Sequence, residues 1–206
     1  MSSQFQRRDE ILHATVFQIE SAGESSVRLR DISRIVGITE PTMYHYFHNR
    51  EQLIIAAHAY RFKVNLTETL GPFVSRLSEC TSADEFLEAL LMLYRISFPK
   101  ERIGVRATRA EIVGASIKRP QLRKEIAAMT EELLRPAVEL LKDAQSRGWI
   151  RSGVSVEAFA FWNLGNITGL IFAEMLADEA TQLKCHEFWL ESVELVVRGL
   201  KRNAKN

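Results

Sequence analysis

Two features of the sequence predict an all-α fold. Apolar residues recur every three or four positions along most of the chain, which is the period of a helix that buries one face. Residues that begin and end helices punctuate these stretches, with Ser, Thr or Asn before them and Gly or Pro after them. No stretch alternates apolar and polar residues as a half-buried strand does. We therefore predict an N-terminal three-helix domain over residues 1–52 and a C-terminal helical bundle over residues 53–206.

The first predicted helix covers roughly residues 8–21, and Gly23 ends it. The ten residues at the N-terminus are polar and charged, and we expect them to fray. The helix carries an apolar stripe that should cover the back of the next two helices: Ile11, Leu12, Ala14, Val16, Phe17 and Ile19.

Residues 27–53 predict two short helices joined by a tight turn, followed by the start of a third helix. Gly37 can adopt the positive φ that ends the first short helix. Thr39 is placed to cap the second one, and Asn49 to cap the third. Gln52 stands three residues after Asn49, where it can complete a capping box.

Polar and aromatic side chains remain exposed on the second short helix, with Arg50 just beyond it: Glu40, Thr42, Tyr44, His45 and Tyr46. Together they present donors, acceptors and flat rings on a helix whose N-terminal end is partially positive. Such a surface fits the major groove of DNA, with the helix N-terminus toward base edges and the tyrosine hydroxyls toward phosphates. The alternative is a small helical hairpin whose tyrosines cover a core.

Residues 11–53 resemble the DNA-binding domain of the tetracycline-repressor (TetR) family of transcriptional regulators. The resemblance is carried by Gly23, Arg30-Asp31-Ile32, Val36-Gly37-Ile38-Thr39, Thr42-Met43-Tyr44-His45-Tyr46-Phe47 and Arg50-Glu51-x-Leu53. It implies a homodimeric repressor that binds double-stranded DNA at a palindromic operator. A small-molecule effector releases the repressor from that operator. We predict that DNA is contacted by Arg28, Arg30, Thr39, Glu40, Thr42, Tyr44, His45, Tyr46 and Arg50, the last of them at a phosphate.

Several positions depart from the family pattern. Glu24 stands where the family usually has an aromatic residue, Arg28 where it has a hydroxyl, and Glu40 where many members carry a cation. Ile35 and Val36 replace small residues. Glu40 either accepts a hydrogen bond from a cytosine amino group or stabilises the positive end of its own helix, and we slightly favour the second role.

The charge of the chain gives little general attraction to nucleic acid. The formal net charge is only +1, and residues 1–61 carry seven arginines against seven acids. A DNA-binding function therefore requires the arginines to cluster on one face of the domain, with the acids elsewhere.

Motifs of enzymes and metal sites are missing from the sequence. It has no glycine-rich phosphate loop, no His-x-x-x-His pair and no Gly-x-Ser-x-Gly elbow, so we predict no cofactor, no metal and no catalytic activity. Cys80 and Cys185 lie far apart in the sequence, and we interpret them as reduced thiols. We find no run that is long and apolar enough to span a membrane and no apolar signal core, and we expect a cytoplasmic protein.

The C-terminal part predicts a further series of helices. The helix after Asn49 should stop or kink at Gly71-Pro72, and a later one should kink at Pro136. Ser82 or Thr81 is placed to cap the helix that Phe98-Pro99 interrupts. The helices after it cover about residues 102–117, 121–146, 155–177 and 181–202.

By family analogy, a small-molecule pocket lies among the helices of residues 82–147, with some lining from residues 158–172. The candidate lining residues are Phe86, Leu90, Tyr94, Phe98, Arg106, Met129, Leu133, Trp162, Asn166 and Phe172. Arg106 and Asn166 are the informative pair, because buried polar groups need partners. A ligand carboxylate can supply the partner of Arg106, unless Glu111 or another acid of the chain does so.

The last two predicted helices differ from the others in their apolar surface. The segment 155–177 is apolar on nearly all sides, and Gly165 and Gly169 allow another helix to approach closely. It is either buried within its own chain or shared with a second copy, in a four-helix bundle that includes residues 181–202. We favour the second arrangement, which the family resemblance also implies.

Three functions are therefore weighed. The first is a ligand-gated dimeric repressor. The second is a helical ligand-binding or scaffold protein that has lost DNA binding, which the near-neutral charge and Glu40 favour. The third is an all-helical enzyme, for which the sequence offers no pair of nucleophile and base.

Overall fold

A computed structural model describes the backbone of residues 2–199 and the side chains of residues 5–199. Over these residues the regular structure is entirely helical, which confirms the predicted all-α class. Two short 3-10 segments occur at Glu24–Ser26 and Lys100–Arg102. The α-helices are α1 Ser2–Ala22, α2 Leu29–Ile35, α3 Glu40–Tyr46, α4 Arg50–Ser78, α5 Ala83–Ser97, α6 Ile103–Ile117, α7 Pro120–Ser146, α8 Val156–Leu176 and α9 Glu179–Arg198.

Several helix boundaries differ from the prediction. α1 begins at Ser2, earlier than the predicted start near residue 8. α4 continues through Gly71 and Pro72 and does not stop there, and α7 runs through Pro136 as the predicted helix over residues 121–146 does. Both prolines are exposed, so water can satisfy the carbonyl that each leaves without an N–H partner. Beyond Pro72 the buried stripe of α4 goes on to Leu77, and this packing holds the last turns in place.

The final helix is shorter than predicted within the described residues. α9 ends at Arg198, and Gly199 follows it at a φ of 78°. The predicted helix extends to residue 202, but residues 200–206 lie outside the described part of the chain.

Internal contacts divide the chain into two compact units. The first unit takes in the chain up to Val64 together with Ile112–Met129. The second unit takes in Asn65–Glu111 and the chain from Thr130 onward. α4, α6 and α7 each contribute residues to both units.

The core of the first unit joins α1, α2, α3 and the start of α4. It contains Ile11, Leu12, Ile19, Val27, Leu29, Ile32, Met43, Phe47, Leu53, Ile54 and Ala57. Phe17, which we predicted to lie in the α1 stripe, is 65% exposed. Thr15 is buried on that face instead, and its hydroxyl donates to the carbonyl of Ile11 at 2.7 Å. Because that bond satisfies the hydroxyl, the core accepts a polar residue that the apolar pattern does not reveal.

The core of the second unit is formed by helices that are distant in sequence. Its buried apolar residues include Leu66, Phe73, Phe86, Leu90, Leu134, Leu141, Phe159 and Ile167. The hydroxyl of Tyr94 donates to the side-chain oxygen of Asn163 on α8, whose amide donates to the Phe159 carbonyl at 2.7 Å. Burial raises the pKa of Tyr94 well above its usual value, so the phenol stays protonated and serves as a donor.

α8 contradicts one expectation from the sequence. Val156–Leu176 is long and apolar enough to cross a membrane by length and composition, with a mean hydropathy of 1.2 over its best 18 residues. The apolar run is interrupted in the sequence by the polar residues Asn163, Asn166 and Thr168, so its full length is not evident from the linear pattern. Only 33% of the residues in that window are buried within the chain, and several of its large apolar side chains are exposed.

Candidate nucleic-acid interface

The turn between α2 and α3 closes on a glycine. Gly37 has a φ of 67°, a value that side-chain-bearing residues rarely adopt. Its N–H donates to the carbonyl of Arg34 at 3.3 Å, and the N–H of Ile38 donates to the carbonyl of Ser33 at 2.9 Å. These bonds end α2 and direct the chain into α3, as the sequence predicted.

The N-terminus of α3 is capped by Thr39, which confirms the predicted cap. The Thr39 hydroxyl accepts a hydrogen bond from the N–H of Thr42 at 3.3 Å, and the two hydroxyl oxygens are 2.8 Å apart. Pro41 occupies the first turn, where a residue without an N–H is tolerated. A seven-residue helix is therefore fixed at its start by side-chain and backbone chemistry of its own.

α3 is anchored on one face and open on the other. Met43 is fully buried, and Phe47, just after the helix, is buried too. Tyr44 is 51% exposed, and Thr42 and His45 are exposed beside it. Tyr44 therefore does not cover the core, whereas Tyr46, which we predicted to be exposed, packs against it.

Two more residues of the predicted site complete this face. Tyr46 is half-buried, packs against the core, and meets His45 edge to face with ring centroids 5.8 Å apart. Glu40 is exposed at the first turn of α3, where a carboxylate also stabilises the helix electrostatically.

The start of α4 is held by Asn49 and Gln52. The Asn49 side-chain oxygen accepts from the N–H of Gln52 at 2.8 Å, which confirms the predicted cap. The return hydrogen bond differs by one residue, because the Gln52 side chain accepts from the N–H of His48 at 3.1 Å.

Arg50 binds backbone carbonyls within its own unit. Its Nε donates to Val27 at 2.9 Å and its Nη2 to Glu24 at 2.5 Å. Arg50 therefore fixes the segment that precedes α2, and its predicted phosphate contact stays a prediction. Arg28 is exposed and donates to the carbonyls of Ser25 and Val27, while Arg30 is exposed on α2.

Charge is distributed unevenly between the two units. The first unit holds twelve lysines and arginines against eight acids, a formal charge of +4, and the second unit carries −3. Several acids of the first unit are paired: Glu10 with Arg7, Glu20 with Arg61, Asp31 with Arg34, and both Glu24 and Glu51 with Arg119. Arg28 and Arg30 have no carboxylate within 4 Å among the described side chains. The first unit is therefore cationic within a nearly neutral chain, and three of its four excess positive charges lie in residues 112–129.

Glu24, a departure from the family pattern, is the centre of a polar network that the sequence did not reveal. One carboxylate oxygen lies 3.0 Å from Nε2 of the buried His58, and the other pairs with Nη2 of Arg119. Nε of Arg119 lies 2.8 Å from a carboxylate oxygen of Glu51. Partial burial alone would raise the pKa of Glu24, but the hydrogen bonds and charges of His58 and Arg119 outweigh it, and its pKa lies below the usual value.

The predicted ligand-binding residues do not converge on one cavity. Leu90 lines an apolar cavity of the second unit, whereas Phe98 lines a separate, more open one. Phe86 and Tyr94 are buried, Leu133, Met129 and Asn166 are half-buried, and Trp162 and Phe172 are exposed. Met129 belongs to the first unit.

Arg106 already has a carboxylate partner. Its Nε lies 2.9 Å from a carboxylate oxygen of Glu174, its Nη2 pairs with the other oxygen, and its Nη1 donates to the Ser97 carbonyl. Both side chains of the pair are buried. The idea that a ligand carboxylate completes Arg106 therefore loses its basis, because Glu174 supplies that charge. Asn166 does have a buried amide nitrogen with no hydrogen-bond partner.

Comparisons with known proteins bear on both units. Residues 11–57 match the family model of bacterial regulatory proteins of the tetR family. The HTH-type transcriptional repressor NicS of Pseudomonas putida is 24% identical, over 95% of this chain and 92% of NicS.

Solved structures resemble the whole chain in fold. The TetR-family transcriptional regulator from Cytophaga hutchinsonii has a TM-score of 0.68 at 17% identity, covering 96% of this chain and 98% of its own. The transcriptional regulator FadR from Bacillus subtilis, in complex with stearoyl-CoA, has a TM-score of 0.58 at 18% identity, covering 93% and 98%. At these identities the likeness concerns the fold alone.

The network around Glu24 makes a prediction about stability. Glu24→Gln should lower the free energy of unfolding at neutral pH by about 1 kcal/mol, because charge-assisted hydrogen bonds become neutral ones. The folded-state pKa of Glu24 is depressed, so this stabilisation is present above its ordinary value of 4.5 and is lost as the pH falls through the folded-state value. Urea unfolding of both proteins should therefore show a difference that shrinks in acid.

Asp9→Asn is the matched control, because Asp9 is an exposed acid of the same unit. It should unfold like the parent at every pH. A Glu24→Gln difference that stays constant from neutral pH to about pH 3 would contradict the role of the charge.

Proposed function

We propose that this transcriptional regulator of the TetR family is a dimeric repressor released from a palindromic operator by a small-molecule ligand. Residues 1–52 are proposed as the DNA-binding domain, and residues 53–206 as the ligand-binding and dimerisation domain. The observation that carries the proposal is the exposed face of α3, held by the Gly37 turn and the Thr39 cap. Its place of action is the cytoplasm, where the DNA is.

The proposed DNA contacts fall into two groups. The face of α3 enters the major groove with Thr42, Tyr44, His45 and Tyr46, and with Thr39 and Glu40 at its N-terminal end. Arg28, Arg30 and Arg50 lie toward the phosphate backbone, where cations contribute most of the salt-dependent affinity. The exposure of Tyr44, Thr42 and His45 and the +4 charge of the first unit support this assignment over a scaffold that has lost DNA binding.

Dimerisation is proposed through α8 and α9. Their exposed large apolar residues are Phe161, Trp162, Phe172, Met175, Leu176, Leu183, Phe188 and Leu195. An apolar surface of this extent is unfavourable in water and is characteristic of a site that another protein covers. A Cβ added at Gly165 or Gly169 would meet nothing within 4 Å, so a helix of a second copy has room to approach there. A twofold axis through this surface gives the self-complementary contact usual in dimers.

Release by ligand is proposed to start in the second unit. The complex of FadR with stearoyl-CoA supports small-molecule binding in a protein of this fold. A ligand that prefers the form unable to bind DNA reduces the population of the DNA-binding form, by an amount set by its difference in affinity for the two. α4 supplies residues to both units, so a displacement of its C-terminal half can reach the helix start beside α3.

Removing the ring of Tyr44 tests the assigned DNA-binding face. Tyr44→Ala should weaken binding to the palindromic DNA upstream of the gene by about tenfold or more, because ring and hydroxyl contacts are lost together. Fluorescence anisotropy at a fixed salt concentration measures this loss. Phe17→Ala, at another exposed aromatic residue of the same unit, should leave affinity unchanged. Wild-type affinity for Tyr44→Ala would contradict the assignment.

Introducing a charge into the apolar surface tests the dimer. Phe172→Glu should convert the protein from dimer to monomer, because a buried unpaired carboxylate at a helix–helix contact is unfavourable. Sedimentation velocity measures the change, and binding to a palindrome should fall with it. Met92→Glu, at an exposed apolar residue of α5, should remain dimeric. A monomeric wild type, or a dimeric Phe172→Glu, would contradict the proposed interface.

A further inference from the structure

Arg109 of α6 is a buried cation whose partners are all neutral. The residue is 2% exposed. Its Nε and Nη2 lie 3.1 and 2.7 Å from the side-chain oxygen of Asn65, and Nη2 lies 3.2 Å from the hydroxyl of Thr69. Its Nη1 is buried and has no hydrogen-bond partner. No carboxylate lies within 4 Å of this guanidinium among the described side chains.

The other buried arginines of the described chain are compensated. Arg61 pairs with Glu20 at 3.2 Å, and Arg106 pairs with Glu174. Burying a charge without a counterion costs several kcal/mol in general, so an arginine in this position requires an explanation. Every other buried guanidinium of the described residues is neutralised by a carboxylate of the chain. At Arg109 an anion from outside the chain would supply the missing negative charge.

The pKa of Arg109 agrees with this account. Burial, followed by the positive charges of Arg102 and Arg106, lowers the pKa of Arg109 to about 10. The guanidinium nevertheless remains charged at neutral pH. An arriving anion would thus relieve both the burial cost and the repulsion between neighbouring cations.

Arg109 lines two adjoining spaces of the second unit. One is a narrow apolar cavity lined mainly by leucines, Phe73 and alanines. The other is a still smaller polar space, lined by Arg109, Arg102, Arg106, Thr69 and Ser97 among others. The two spaces share Arg109 and Thr69, so a cationic end adjoins an apolar body.

We propose that the effector is an apolar monocarboxylate whose carboxylate binds Arg109 and Arg102 beside Thr69, with its hydrocarbon part in the apolar cavity. The inference rests on the proposed function for its regulatory meaning. Arg102 already lies near this point, with its Nη2 3.5 Å from the Thr69 hydroxyl. A planar carboxylate matches the paired N–H groups of a guanidinium.

This site also suggests how the ligand acts. Asn65 and Thr69 belong to α4, and they now hold the guanidinium of Arg109. A carboxylate competes with them for the same N–H donors, so its binding loosens a contact between α4 and α6 within the second unit. The apolar cavity is narrow as it stands, and a hydrocarbon chain has to part the side chains that line it. Both effects favour a displaced α4.

Calorimetric titration of the full-length protein with octanoate and octanamide tests the proposal. The two probes share their hydrocarbon part and differ in charge. Octanoate should bind about tenfold or more tightly than octanamide, because only the carboxylate compensates Arg109. Arg109→Gln should reduce this preference to the several-fold or less that Arg102 supplies alone, because the compensated charge is removed. Its neutral amide can still donate to Asn65, so the contact with α4 is kept. Arg135→Gln, at an exposed arginine of the same unit, should keep the preference.

Arg102→Gln provides a second variant in case Arg109→Gln does not fold. Arg102 is only half-buried, and its replacement should reduce the preference for octanoate several-fold. Equal affinity of the wild type for the two probes would overturn the proposal, as would an undiminished preference in Arg109→Gln. It would also be overturned if no carboxylate from butanoate to dodecanoate, nor phenylacetate, stabilised the wild type against heat.

Operator binding is measured on the same samples. Operator binding without any response to carboxylates would reject this inference and leave the proposed repressor intact. Carboxylate binding without operator binding would reject the repressor and leave the site standing.

Discussion

The orientation of α3 depends on a four-residue turn that contains one glycine. Gly37 at positive φ ends α2, and the Thr39 hydroxyl begins α3, so the chain reverses direction without an unsatisfied helix end. Met43 and Phe47 then press the helix onto the core of the first unit. Because one face is held in this way, Tyr44 and its neighbours are presented outward in a fixed geometry. A short helix of seven residues would not keep that geometry by its own propensity.

Local chemistry explains why the helices α2 and α3, their turn and their caps could be predicted from sequence. The Gly37 turn and the caps by Thr39 and Asn49 join residues at most five apart, so they are readable in a linear pattern. The same holds for the all-α class, which follows from periodicity. The predicted helices of the C-terminal bundle are present in the structure. The differences lie at the helix ends and at prolines, where exposure of the proline decides whether the helix continues.

Residues joined over long distances in sequence were the ones missed. Glu24 looked like an isolated departure from a pattern, and its partner Arg119 lies 95 residues away. Arg106 was expected to need a ligand, but Glu174, 68 residues away, neutralises it. No sequence pattern distinguishes Arg109 from the other arginines, because only the structure reveals that its side chain is buried and lacks a carboxylate partner. Which buried cation is compensated depends on tertiary contacts, so one-dimensional patterns cannot decide it.

The most direct test of the account is a hydroxyl-radical footprint of the full-length protein on the DNA upstream of its gene. Two copies of α3 related by a twofold axis should protect two half-sites about 34–36 Å apart, one turn of the duplex, in a palindromic arrangement. Adding the effector should remove both protected regions together. Protection of a single half-site, or no protection at low salt, would contradict the claim that a dimer presents α3 to successive major grooves.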